Sequence, residues 1–314
     1  MSEKKRSRII DYLVYLSVRI LVCILQAMSF ATACRLAEFL AWFLYIVDKR
    51  HRHVAIENLQ KSFPGQYTDS QIDRMVRGVY RHFCTVLIEI MHIPRRYHLH
   101  NYKHYTVLHE PARMAEALLS GRPVLFVTGH FGNWEMAGYA LGLIGFQAHA
   151  IARPLDNPYL DEFVCSFRQR TGQKLLAKHG AFDNMENLLR EGGIIATLAD
   201  QDAGQRGLFV DFFGRPASTH KAVALLALEH NVPIVVCGTP TFAGKYHVWA
   251  IDVIDPEEYE NSHDPVRAVT QRFTTGLEML IRQAPEQYFW VHRRWKHAPI
   301  RKKPRRDPPK PLAA

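Results

Sequence analysis

From Ile9 to Val47 the chain is apolar apart from Asp11, Arg19, Arg35 and Glu38, and the 15 residues from Ile20 to Cys34 carry no charge. A run of this kind cannot be left in water, so the fold must bury it or seat it in lipid. A helix crossing a bilayer needs about 20 apolar residues. A single span therefore has to hold Arg19 near one interface, where its long stem snorkels. The alternative is a buried helical hairpin, because Leu36 to Val47 continues the apolar pattern past Arg35. No small-residue cleavage site follows a short apolar core, which argues against a removable signal peptide. Residues 1–47 are read as a membrane-anchoring helical segment. Positive residues flank it on both sides, with Lys49, Arg50 and Arg52 following, so charge bias leaves its orientation open.

The formal net charge of +10 is at first sight a nucleic-acid signal. Its distribution argues otherwise. Residues 1–8 carry +3 and residues 293–314 carry +8, leaving −1 on residues 9–292. The body is balanced, no nucleic-acid partner is expected, and two basic ends beside an apolar segment suit an anionic membrane surface. Cys23, Cys34, Cys84, Cys165 and Cys237 are odd in number, scattered, and form no C-x-x-C pair. Reduced packing thiols are expected, with neither a disulfide framework nor a metal or cofactor site. Gly and Pro follow no fixed period, which removes collagen and solenoid architectures and leaves a globular body.

Within that body, Gln71 to Met91 reads as a helix with apolar positions at Ile72, Met75, Val79, Phe83, Val86, Leu87 and Ile90. After Pro123 the pattern changes. Val124 to Thr128, Ala148 to Ala152, Gly193 to Ala199, Pro233 to Cys237 and Tyr246 to Ile254 read as strands. Between and after them, helices are expected over 133–143, 159–170, 182–190, 221–230 and 266–283. Strands interleaved with helices predict an α/β fold, a mainly parallel sheet flanked by helices, with reactive residues at strand ends. The expected division is 1–47 anchor, 48–297 globular domain and 298–314 basic Pro-rich tail.

The most informative stretch is Phe126-Val-Thr-Gly-His130-Phe-Gly-Asn-Trp-Glu135. It places a histidine directly after a strand and a carboxylate in the first turn of the following helix, which Asn133 can cap. A histidine in that turn can reach a substrate hydroxyl, while Glu135 reaching back fixes its tautomer and stabilises the imidazolium. With 17 histidines in the chain, H-x-x-x-x-E by itself recurs by chance, and a satisfied surface histidine is the competing reading. The strand, two glycines, cap and helix packed into one turn are what single out this match.

Those residues resemble the H-x-x-x-x-E site of the late acyltransferases of lipid A biosynthesis, the bacterial lauroyl and myristoyl transferases. Further similar segments follow in order: His53 to Pro64, Arg153 to Pro158 with Arg168-Gln-Arg170, Ala199 to Gly204, and Pro285 to Lys296. The resemblance implies an inner-membrane enzyme whose catalytic domain lies on the cytoplasmic face. It implies transfer of a fatty acyl chain from acyl carrier protein to a hydroxyl of a lipid A precursor, an anionic glycolipid. It assigns His130 as general base and Glu135 as its partner, and it matches Arg168 and Asp200 to family positions. Arg153, Arg168, Arg170 and Asp200 are accordingly expected to bind substrate, the arginines through phosphate or oxyanion, although a salt bridge explains any single arginine equally well. Gln201 stands where some members carry His.

The residue-level mechanism is direct: His130 takes the acceptor proton and the alkoxide attacks the thioester carbonyl, with no metal and no acyl-enzyme. Backbone donors near Gly129 to Gly132, or a nearby arginine, are the two candidates for stabilising the oxyanion. Two other functions stay open. One keeps the chemistry but uses acyl-CoA, or another glycolipid, phospholipid or aminolipid acceptor. The other is a non-catalytic membrane lipid-binding protein in which His130 is structural.

Overall fold

A computed structural model describes residues 7–152, 154–169, 173–177 and 181–299. The anchor segment forms two helices, α1 (Arg8–Ala27) and α2 (Phe30–Val47), followed by α3 (Lys49–Ser62) and the long α4 (Asp69–Arg96). A capping box between Thr68 and Gln71 starts α4, which runs five residues beyond the expected end. The short α5 (Tyr102–Tyr105), β1 (Thr106–His109) and α6 (Ala112–Leu119) lead into the expected body. Next come β2 (Val124–Thr128), α7 (Trp134–Leu143), β3 (Ala148–Ala152), α8 (Pro158–Gln169), β4 (Lys174–Ala177), α9 (Ala181–Arg190) and β5 (Ile194–Leu198). The hairpin β6 (Leu208–Phe212) and β7 (Arg215–Thr219) precedes α10 (Ala222–Glu229), β8 (Ile234–Gly238), β9 (Thr241–Phe242), β10 (Lys245–Ile254) and α11 (Pro265–Gln283).

The main sheet has the strand order β1-β10-β8-β2-β5-β3-β4, with β9 on β10, so the α/β expectation of a mainly parallel sheet holds. The five strands β8, β2, β5, β3 and β4 are mutually parallel, and within this sheet the pairing turns antiparallel between β10 and its neighbours β8 and β9. Val124 to Val127 and Ile234 to Val236 are buried on both faces, as a parallel sheet covered by helices requires. The β2–β5 register pairs Thr128 with Leu198 at the carboxyl edge.

The two apolar helices lie against this body. On α2, Ala33, Ala37, Ala41 and Tyr45 face inward at four-residue spacing, and the helix packs along α4. On α1, Asp11 and Leu25 are buried, and the helix crosses α4 and α8. Gln26 donates to the Met91 carbonyl at 2.8 Å, and Asn157 of the α8 cap donates to the Asp11 carbonyl at 2.8 Å. The Arg19 guanidinium lies 4.6 Å from the centroid of the Phe163 ring. The outward faces keep their large apolar residues exposed: Ile9, Leu13 and Ile20 on α1, and Phe39, Trp42 and Ile46 on α2. Both helices are long and apolar enough to cross a membrane.

Candidate active site

β2 ends at Thr128, and the chain turns through Gly129, His130, Phe131 and Gly132 before Asn133 caps α7. Gly132 requires its glycine: φ is +60°, and a Cβ there would lie 2.2 Å from the Thr239 carbonyl oxygen. Asn133 is fully buried and accepts the Met136 N–H at 2.9 Å. The turn therefore leaves the sheet at a fixed angle and presents His130 at the carboxyl edge.

Asp200 follows β5 just as His130 follows β2. Because Thr128 pairs with Leu198 in a parallel register, residue 200 comes to lie beside residue 130. The Asp200 carboxylate accepts from the His130 backbone N–H at 2.8 Å and bonds its Nδ1 at 2.9 Å. Nδ1 thus carries the proton, leaving Nε2 as the basic nitrogen, and Nε2 has no hydrogen-bond partner among the described residues. Burial depresses the basicity of His130, but the charge and hydrogen bond of Asp200, with the Glu135 charge behind them, outweigh it and raise its pKa. Burial likewise opposes ionisation of Asp200, yet its bonds to His130 and the nearby Arg294 charge hold it ionised. Trp134 and Phe289 wall the imidazole, with ring centroids at 5.1 and 5.8 Å.

Glu135 has another partner. Its carboxylate is gripped by a fork from Arg168 of α8, with Nε to Oε2 at 3.0 Å and Nη2 on the other oxygen. The tautomer-fixing bond expected from Glu135 is thus made by Asp200, and Arg168 lies against a carboxylate. The physical reason is direction: on the first turn of α7 the Glu135 side chain projects toward α8, while Asp200 leaves a neighbouring strand in register with His130. Arg153 and Arg170 lie outside the described residues. The N–H groups of His130, Phe131, Gly132 and Asn133 donate to Asp200, Gly129, Gln287 and Thr239, so the part of the turn from His130 onward has no spare backbone donor for an oxyanion.

Several residues of the site carried no assigned role in the sequence. Arg294, 2% exposed, binds the Ser218 carbonyl and the Thr219 hydroxyl and lends Asp200 its charge. Tyr288, also buried, stands close enough to Asp200 that burial and then the Asp200 charge push its hydroxyl pKa up. Both come from the 285–296 segment, whose density of aromatic and basic residues was the available signal.

Beside Trp134, Glu135 and Arg168 opens a groove of about 790 Å³ between α1, α4 and α8. Val18, Val22, Leu87, Ile90, Leu160 and Phe163 make its lining mostly apolar, with Arg19, Arg95 and the Glu135–Arg168 pair as its charged groups. One of its walls is α1, whose outer face exposes the apolar residues described above. A basic histidine oriented by a buried carboxylate, beside an apolar groove, can deprotonate a hydroxyl next to a bound alkyl chain.

The chain is 26% identical over 247 residues to a lipid A biosynthesis acyltransferase of Haemophilus influenzae, covering 77% of this chain and 75% of that one. It is 24% identical over 256 residues to the lipid A biosynthesis palmitoleoyltransferase of Escherichia coli, covering 80% and 81%. It is also 25% identical over 186 residues to a phosphatidylinositol mannoside acyltransferase of Mycobacterium tuberculosis, covering 57% and 56%. With residues 1–297 matched by the model of the bacterial lipid A biosynthesis acyltransferases, the chain belongs to that family of acyltransferases.

Proposed function

We propose that this protein transfers a fatty acyl group from an acyl carrier protein thioester to a hydroxyl of a lipid A precursor, at the cytoplasmic face of the bacterial inner membrane. The observation that carries the reading is the His130–Asp200 pair beside the apolar groove. His130 Nε2 removes the proton of the acceptor hydroxyl, and the oxygen attacks the thioester carbonyl. The tetrahedral intermediate collapses with cleavage of the C–S bond, and the imidazolium returns its proton to the departing thiolate. Asp200 holds the imidazole tautomer and stabilises the imidazolium. Glu135 orients Arg168, whose side chain lines the groove and whose guanidinium serves the thioester oxyanion or an acceptor phosphate. Arg153 and Arg170 complete the anionic acceptor site in this reading.

Membrane attachment through α1 and α2, the 1–47 segment of the domain division, is part of the same proposal. It is supported by the exposed apolar residues on both helices and by the place of α1 beside the groove. A chain in the bilayer then enters the groove without crossing water.

The test is transfer by the purified full-length protein, with acyl carrier protein thioesters and a tetra-acylated disaccharide acceptor, read by product mass. Replacing His130 with Ala is expected to cost about 10²–10⁴-fold, as loss of a general base does. A folded His130→Ala protein with parental turnover would refute the mechanism. A second reading, acylation of a different glycolipid, is favoured by the similarity to a mannoside acyltransferase. Mass gain on a phosphatidylinositol mannoside but not on the disaccharide would select it, and an acyl-CoA arm tests the donor.

A further inference from the structure

The transfer chemistry leaves unused two polar groups on α4, the half-buried His82 and the buried Glu89. His82 and Glu89 stand seven residues apart, about two helical turns, so both project from one face. That face grips the turn carrying His130. His82 Nε2 lies 3.1 Å from the Gly132 carbonyl oxygen, and the Asn133 side-chain amide donates to Glu89 Oε2 at 2.7 Å.

The amide is committed at both ends. Its NH₂ is held by Glu89, and its carbonyl oxygen accepts the Met136 N–H at 2.9 Å. Without the carboxylate, the amide can flip and turn its NH₂ toward the α7 N-terminus, where donors already crowd. The opposite side of the turn has no slack, because Gly132 and Asn133 donate their N–H groups to Gln287 and Thr239 at 3.0 and 2.8 Å. Glu89 is 7% exposed, and a carboxylate so placed is costly unless its hydrogen bonds are made.

We propose that Glu89 is a positioning residue for acyl transfer: through Asn133 it fixes the turn that presents His130. This rests on the general-base reading of His130 given above. The groups facing Glu89 are Asn133 beyond the turn, the Tyr246 hydroxyl of β10, Cys34 of α2, and His92 and Arg96 of its own helix. Burial pushes the Glu89 carboxyl up to about 7, against the pull of Asn133, Arg96 and Tyr246. Its charge, and with it the strength of the Asn133 bond, is then lost as the pH falls through neutrality. His82 is held down to about 4 by burial, so it stays a neutral donor to Gly132 over the same range.

The experiment measures kcat, KM and their pH dependence for the full-length protein and for Glu89→Leu, Glu89→Gln and His130→Ala, on the donor and acceptor named above. Glu89→Leu is expected to lower kcat about 10²-fold, as a displaced reacting group does, with KM held within about threefold. Glu89→Gln, whose amide oxygen still accepts from Asn133 but without the charge, is expected to fall between the parent and Glu89→Leu in kcat. The parental acid limb of kcat/KM should require loss of two protons, from Glu89 and His130, and that of Glu89→Gln only one. A folded Glu89→Leu protein with parental kcat, a loss confined to KM, or a two-proton limb in Glu89→Gln would overturn the inference. Should Glu89→Leu fail to fold, the limb of Glu89→Gln decides alone. If His130→Ala is inactive while both Glu89 variants behave as the parent, the positioning role fails and the general-base reading stands. An active His130→Ala protein overturns the general-base reading whatever Glu89 does.

Discussion

Replacing Asp200 with Asn tests the site at the contact that orients its base. The substitution keeps the volume and removes one charge from a residue 4% exposed. The Asn oxygen must still accept the His130 backbone N–H, which places the NH₂ against Nδ1. A donor facing Nδ1 forces the imidazole proton onto Nε2, the nitrogen that has to accept the substrate proton. The charge effect adds to the tautomer effect. A unit charge pair about 4 Å apart is worth about 4 kcal/mol at an effective dielectric near 20, and each 1.36 kcal/mol of barrier is tenfold in rate. Loss of imidazolium stabilisation therefore predicts a fall in kcat of about 10³-fold. The assay is single-turnover acyl transfer across a pH series, with thermal unfolding as the control for folding. Asp200 raises the pKa of His130 against burial, so the parental rate is lost as pH falls through that raised value. In Asp200→Asn only the Glu135 charge still opposes burial, and the His130 limb should move to lower pH. A folded variant within about threefold of the parent, or with its acid limb unmoved, would refute the assignment of Asp200.

Three further outcomes follow from the packing. Arg168→Met leaves the half-buried Glu135 carboxylate unpaired and should cost about 1–3 kcal/mol of stability; the double variant with Glu135→Gln should recover most of it, which denaturant unfolding of the four proteins checks. Val164→Trp narrows the groove and should shift donor preference to shorter chains by about fourfold per methylene, from about 0.8 kcal/mol for each, read as product mass in a mixed-donor competition. Deleting residues 1–47 uncovers the α4 surface on which α2 packs, and aggregation in detergent-free buffer is expected; a soluble monomer fully active on bilayer substrate would refute the anchoring proposal.

Much of the fold was legible in the sequence because its central elements announce themselves locally. Val124–Thr128, Ile194–Leu198 and Ile234–Gly238 are β-branched runs bounded by turns, and the helices between them carry their own period. Strands whose stability is borrowed from neighbours were missed. β1 and β4 have four residues each, too few for a pattern, and pair only at sheet edges. The β6–β7 hairpin turns through Phe213 and Gly214, both at positive φ, where the Asp211 carboxylate accepts the Gly214 N–H in place of an obvious turn dipeptide.

The site divides along the same line. That a histidine leaves a strand into a tight, asparagine-capped turn is a property of ten consecutive residues, and the sequence determines it. Which carboxylate meets that histidine is decided by the parallel register of β2 on β5, a pairing across 70 residues that brings Asp200 to Nδ1. The helical direction of Glu135 sends it instead to Arg168, and the seven-residue spacing of His82 and Glu89 acquires meaning only once α4 lies against the turn. Local sequence sets backbone geometry through short-range sterics and hydrogen bonds, whereas long-range partners are set by strand order, register and helix packing, which no segment encodes alone.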